Sequence, residues 1–262
     1  VERVEEAGFT IHQYGIDYIK INCTGDRSLH FKGSPGVGLL PADVHSGKYA
    51  FWSSKGNESD MTLTREFELT NVKGPIKFSY QTWYDIEKDW DYLYLEESTD
   101  GKNWQTLKAP SSTDSNPSGA SYGWAYTGQS NEWKQEEVDL SQFAGQKVQL
   151  RFEYVTDAEV NGGGLLLDDV HMDAINYASD FETDDGGWVA NGFVRVGNVL
   201  PQTYRLSLIV KGVTTTVTPV ALNADQTADI PLSLKPGEEA VLIVTGTTRF
   251  TTIPAVYQIE VK

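Results

Sequence analysis

Apolar and polar residues alternate with a period of two along most of this chain, and a 3.6-residue period is almost never seen. IDYIKI (16–21), MTLTREFEL (61–69), IKFSYQTWY (76–84), DYLYLEES (91–98), KVQLRFEYV (147–155) and GLLLDDVHM (164–172) each alternate or nearly so. Such segments suit strands with one face buried and the other wet. Between them lie NVKGP (71–75), STDGKNW (98–104), FAGQ (143–146) and NGGG (161–164), whose glycine, proline and Asx residues favour turns. STDGKNW sets Asp-Gly between two strand-like runs, a hairpin signal. The one helix-like piece, DLSQFAG (139–145), is long enough for a single turn. The pattern therefore predicts an all-β protein built from antiparallel sandwiches.

Two interruptions organise the chain. Residues 109–131 form a long Ser/Gly/Pro-rich loop carrying Tyr122, Trp124 and Tyr126, and loops of that length are usually functional or mobile. Near 173–187 the strand rhythm stops at DAINYASDFETDDGGW, and beyond it aromatic residues thin out while Val, Thr and Leu dominate. GFVRVG, TYRLSLIV, TTTVTPV, TADIPLSL, EAVLIVTG and YQIEVK then give short strands at the spacing of a small immunoglobulin- or fibronectin-like sandwich. The expected division is a larger sandwich over 1–175 and a smaller one over 176–262.

Composition narrows the function. The 262 residues carry a net charge of −16, spread along the chain. Such a field repels phosphate backbones and anionic lipid, which argues against nucleic-acid or membrane-surface roles, while its oxygen ligands suit hard cations such as calcium. Cys23 is the single cysteine, so no disulfide framework or CxxC site exists. The longest apolar run is AVLIV (240–244), far short of the roughly 20 residues that span a bilayer. The opening VERVEEAGF has no initiator methionine and reads as a mature or excised piece from which a targeting segment has been removed.

Catalytic signatures are missing. None of His12, His30, His45 and His171 lies in HExxH, and GxSxG and phosphate-binding glycine patterns are absent. Cys23, close to a strand, reads as a small buried apolar residue. WYDIEKDWDYLYLEE (83–97) is the one stretch dense in both carboxylates and aromatic rings. Asp85, Glu87, Asp89 and Asp91 fit a solvated loop between two strands; as paired acids they fit a glycoside hydrolase. In the strand that follows, Trp90, Tyr92 and Tyr94 share one face and Leu93 and Leu95 the other. Inward leucines leave the three aromatics as a platform for stacking sugar rings, with Trp124 and Tyr126 reaching over from the long loop. Inward aromatics make them core.

FWSSKGNESDMTLTREFEL (51–69), FSYQTWYDIEKDWDYLYLEESTDGKNWQTL (78–107) and VDLSQFAGQKVQLRFEYVTDAEVNGGGLLLDDV (138–170), in that order, resemble the region downstream of the catalytic domain in the immune inhibitor A family of secreted bacterial metalloproteases. GGWVANGFVRVGNVLPQTYRLSLIV (186–210) and FTTIPAVYQIEV (250–261) are similar to the C-terminal extension of some members. The resemblance implies a secreted zinc peptidase whose motif, HExxHxxGxxH, this chain lacks. The chain is then a non-catalytic accessory region that binds no zinc itself. Its partners would be the upstream protease domain and a protein or glycan substrate. The alternative is a carbohydrate-binding module using Trp90, Tyr92, Tyr94, Trp124 and Tyr126. The resemblance further implies a jelly roll like those of MAM and carbohydrate-binding modules, with a structural calcium where an early loop meets the final strand. GNESD (56–60) offers Asn57 and Asp60, and LLLDDV (165–170) offers Asp168 and Asp169, one of which alternation turns inward. A buried carboxylate needs a cation or several donors. The expected calcium ligands are Asn57, Asp60, Asp168 and Asp169; the competing reading has Asp60 capping a turn and the other two acids bonded to nearby amides.

Overall fold

The computed structural model describes residues 7–40 and 42–262; the opening VERVEE lies outside it. All 23 strands in it belong to sheets, every strand-to-strand ladder is antiparallel, and its only helical pieces are single 3-10 turns at Ser141–Phe143 and Asp173–Ile175. The chain is all-β, as its alternation requires.

Its described residues divide into two compact units, a central one over 42–198 and a terminal one assembled from 7–40 and 199–262. This corrects the expected cut between 175 and 176. The N-terminal strands Ala7–Ile11 and Gly25–Gly33 pair with Ala255–Val261, Gly25–Gly33 also pairs with Thr227–Leu234, and Asp17–Ile21 pairs with Glu239–Gly246. The strand Val194–Val196 instead joins Ala50–Trp52 in the central unit. Local alternation marks a strand but does not name its partner, so a unit closed by the two ends of the chain left no local trace.

In the central unit one sheet runs Ala125–Tyr126, Tyr92–Ser98, Lys147–Val155, Asp60–Glu68, Val189–Asn191, with Gln105–Thr106 beside Tyr92–Ser98. The other runs Gly128–Gln129, Lys77–Ile86, Gly164–Met172, Ala50–Trp52, Val194–Val196, with Lys134–Asp139 also on Lys77–Ile86 and Tyr177–Ser179 on Gly164–Met172. Phe78, Tyr80, Tyr84 and Ile86 come from alternate positions of one strand, and Leu63, Phe67, Leu93, Leu95, Leu150 and Phe152 from the other sheet; together they fill one shared core. The Asp-Gly hairpin forms as its residues require: Gly101 has φ +70°, and Asp100 Oδ1 accepts the Lys102 and Asn103 amides at 2.8 Å.

The terminal unit holds two four-stranded sheets, Ala7–Ile11, Ala255–Val261, Gly25–Gly33, Thr227–Leu234 and Asp17–Ile21, Glu239–Gly246, Tyr204–Lys211, Thr215–Val220. Its core includes Leu29, Phe31, Tyr204, Leu206, Leu242, Val244 and Tyr257, with Cys23 packed against the edge, as a small apolar residue would be. Gly33 is fixed by the Tyr204 ring, which a Cβ would meet at 2.3 Å.

Residues 42–198 expressed alone are expected to melt cooperatively by circular dichroism, and 176–262 alone to show no transition. A cooperative transition in the 176–262 piece would contradict the cross-terminal pairing.

Candidate functional site

At one end of the central unit three turns converge. The first, following Lys77–Ile86, brings Glu87 and Asp91; the second, following Lys147–Val155, brings Asp157; the third contains Glu58, whose amide donates to the Asp157 carbonyl at 2.6 Å. Gly162 lies over the Asp85 carbonyl, which a Cβ would meet at 2.2 Å, so glycine is what lets the second turn close on the first.

Asp91 is fully buried at the threshold of Tyr92–Ser98. Its Oδ1 accepts the Asp157 amide at 2.8 Å and its Oδ2 the Tyr154 hydroxyl at 3.3 Å. Burial pushes its pKa up to about 6; the Asp157 amide and Tyr154 hydroxyl pull the other way, and the Asp157 and Glu87 charges add to the rise. Glu87 Oε2 is buried without a hydrogen-bond partner. Oxygens of Glu87, Asp91 and Asp157 lie within 4.8 Å of one another, and none of the three forms a salt bridge among the described residues. Three converging carboxylates, one desolvated and one with an unpartnered oxygen, repel each other when ionised, and such an oxygen-only set could hold a hard divalent ion.

The four expected calcium ligands are not brought together. Asp168 is fully buried, but its oxygens accept the Ser46 amide at 3.1 Å and the Asp169 amide at 2.8 Å. Burial raises its pKa to about 6 against the pull of those amides. Asp169, in a left-handed backbone at a β-bulge, faces His45 Nδ1 at 2.6 Å and accepts Ser46 Oγ at 2.9 Å. Both acids thus hold the 45–49 turn, with Glu182, whose Oε1 accepts the Lys48 and Tyr49 amides. Asn57 Oδ1 accepts the Asn161 amide at 2.5 Å, and Asp60 is exposed in the opposite sheet. Asn57 therefore borders the acidic end, while Asp168 and Asp169 do not. Sequence reading missed Asp157 and left Glu87 and Asp91 in a solvated loop. The available signal was their position, Asp91 just before one strand and Asp157 two residues past the end of its neighbour, which the antiparallel pairing Val155↔Tyr92 places at the same end.

The aromatic platform is also not assembled. Leu93 and Leu95 face the core, yet Tyr92 and Tyr94 on the other face are buried too, in a second small cluster with Ala125. The long loop covers them. Tyr122 stacks on Tyr94 with ring centroids 3.9 Å apart, and Ser118 Oγ donates to the Asp89 carbonyl at 2.5 Å. Tyr126 is core, its hydroxyl 2.6 Å from that of Tyr80. Trp124 is half-buried beneath Lys108, whose Nζ sits 4.1 Å from the ring, and Trp90 alone of the five is exposed, at 53%.

The same outer face carries a charged cluster that alternation alone did not flag. Arg151 Nε and Nη2 bond Glu96 Oε2 at 2.7 and 2.6 Å, and Nη2 reaches Glu153 at 2.9 Å. Tyr122 donates its hydroxyl to Glu153, and the Arg151 guanidinium lies over the Trp104 ring. Burial, then the Glu153 charge, pushes Glu96 up to about 7 against the pull of Arg151.

The central unit is thus an all-β sandwich with acidic turns at one end and its outer face roofed by its own loop. The chain belongs to the family described as immune inhibitor A-like, MAM domain, whose model matches residues 39–198. It is 32% identical over 173 residues to immune inhibitor A of Bacillus thuringiensis subsp. alesti, a match covering 60% of this chain and 24% of that protein. It is 27% identical over 164 residues to the pre-pro-metalloprotease PrtV of Vibrio cholerae, covering 61% of this chain and 17% of the relative. Bacillopeptidase F of Bacillus subtilis matches at 27% over 126 residues, 48% of this chain and 7% of its own length. The chain thus spans under a quarter of the length of each of these relatives. No helix among the described residues is long and apolar enough to cross a membrane.

Glu96 gives a pH dependence with a definite sign. Its folded pKa of about 7 exceeds the ordinary 4.5, so between those values the folded state holds a proton that the unfolded state has released. Its contribution is full below 4.5 and lost as pH rises through about 7. Urea unfolding across pH 4.5 to 7 should show stability falling with pH, and Glu96→Gln should flatten that fall; an identical slope in both proteins would refute the assignment.

Proposed function

We propose that this chain is the non-catalytic accessory region of a secreted zinc metalloprotease, wound in its central unit as a jelly roll and stabilised there by calcium. The observation that carries the reading is the family match over 39–198 together with the Glu87, Asp91 and Asp157 group. Membership of a family whose relatives include large proteases supports the accessory role and, with it, an extracellular location and an upstream protease domain as partner. The three carboxylates fit calcium by the chemistry of their oxygens and by the unpartnered Glu87 Oε2. Calcium there would tie the turn after one strand to the turn after another and hold the acidic end closed. Neighbouring Asn57 is a further oxygen donor within the same group of turns. The platform reading as a carbohydrate-binding module has little left to stand on, since Tyr92, Tyr94 and Tyr126 are buried.

An ion that binds only the folded state stabilises it by about 2.7 kcal/mol at a hundredfold excess over its dissociation constant. Calcium should therefore raise the melting temperature of the 262-residue chain by several degrees and EDTA should reverse it, with Asp91→Asn abolishing the response and Asp169→Asn retaining it. A response that survives Asp91→Asn and disappears in Asp169→Asn would move the ion to the 45–49 turn. Cleavage of casein by this chain would contradict the accessory role itself.

A further inference from the structure

The strand Thr215–Val220 of the terminal unit is a sheet edge with little of the usual protection. It stands last in its sheet and pairs only with Tyr204–Lys211 among the described residues. An open edge presents a row of main-chain donors and acceptors, which natural sheets guard with charge, proline or bulges. Asp17–Ile21, at the other end of the same sheet, carries Asp17 and Lys20. In the companion sheet, Thr227–Leu234 carries Asp229 and, at mid-strand, Pro231, while Ala7–Ile11 holds Gly8, which weakens a strand. Thr215–Val220 has no charged residue, and neither does any position from 212 to 224. Thr and Val supply all of it but Pro219, and both favour the extended backbone.

Both faces of this strand are open. Val217 lies opposite Ile209 on one face and Thr218 opposite Leu208 on the other. Leu208 enters the core, yet residues 215–219 are all exposed, Val217 at 61%, so the strand projects beyond the core. Pro219 fixes which backbone groups look outward. A proline sits in a ladder only where its missing N–H points off the sheet. Such groups alternate along a strand, so Thr215 and Val217 share the outward direction with Pro219.

From this uncharged and uncovered edge we infer that Thr215–Val220 pairs antiparallel with the same strand of a second copy, joining two four-stranded sheets into one. A two-fold axis through Val217 sets Val217 against its mate, Thr216 against Thr218, and Thr215 against Pro219. Val217 then exchanges both main-chain bonds with its mate, and each Thr215 N–H meets the opposing Pro219 carbonyl. The prolines remove donors at the ends of this ladder and none at its centre. Facing side chains are Val on Val and Thr on Thr, pairs that stabilise neighbouring strands. Neutrality is what points to a second copy. A charge beside the axis would meet its own like charge, whereas an edge built for a foreign segment is free to carry charge opposite to that segment's. The inference rests neither on the metal group nor on the accessory role, and the strand lies outside the residues 39–198 that the family model matches.

Sedimentation velocity with the full chain over roughly 5 to 500 µM tests it, because a single-strand interface is small and associates weakly. The sedimentation coefficient should climb with concentration from that of a monomer towards that of a dimer. Val217→Pro removes an N–H that faces the mate, and Val217→Lys sets two charges against each other. Each should weaken association about tenfold or more, while Tyr18→Lys, on the opposite edge of the sheet, leaves it unchanged. These are surface positions, and unaltered melting curves will show that the variants fold. A chain that stays monomeric throughout, a dimer that either Val217 variant leaves intact, or one that Tyr18→Lys weakens equally would each overturn the inference. So would a monomeric chain that takes up an added Thr/Val peptide, which would give the edge to a foreign strand.

Discussion

The strand Tyr92–Ser98 is buried on both faces, and much of the central unit follows from that constraint. An antiparallel strand in a two-layer sandwich ordinarily shows one face to water. Here Leu93 and Leu95 enter the shared core while Tyr92, Tyr94 and Glu96 on the opposite face are also shielded. A second layer is needed to cover them, and the long loop supplies it through Tyr122 and Ser118. Length that looks wasteful in the sequence is thus the length of a roof.

Covering that face desolvates whatever polar groups lie on it, and each then needs a partner. Glu96 obtains Arg151, Arg151 is shared with Glu153, and Glu153 takes the Tyr122 hydroxyl, so the loop is latched by the same charges it buries. At the strand's beginning the burial reaches Asp91, whose two protein donors leave Glu87 and Asp157 facing it as like charges. The charged cluster resolves its electrostatics internally with an arginine. The acidic end has no such basic partner among the described residues.

The fold class was legible in the sequence because a period of two survives every detail of packing, and the Asp-Gly hairpin because its turn chemistry is local. The face of Leu93 was half legible: alternation separated leucines from tyrosines but could not reveal a loop over the second face. The unit boundary was illegible, since the pairing of Gly25–Gly33 with strands some 200 residues later leaves no mark on either segment. For the acidic site the sequence reading chose acids by their nearness in the chain. Asp168 and Asp169 stand together in the chain and drew attention, yet backbone amides and His45 satisfy them. Glu87, Asp91 and Asp157 are scattered and meet only because two antiparallel strands bring their ends together.

Hydrogen–deuterium exchange with and without calcium reads the central claim directly, because it reports where an ion closes the structure. The account requires calcium to slow exchange at residues 86–91 and 156–159 and to leave 45–49 as it was. Slowing confined to 45–49, or no change anywhere, would contradict it.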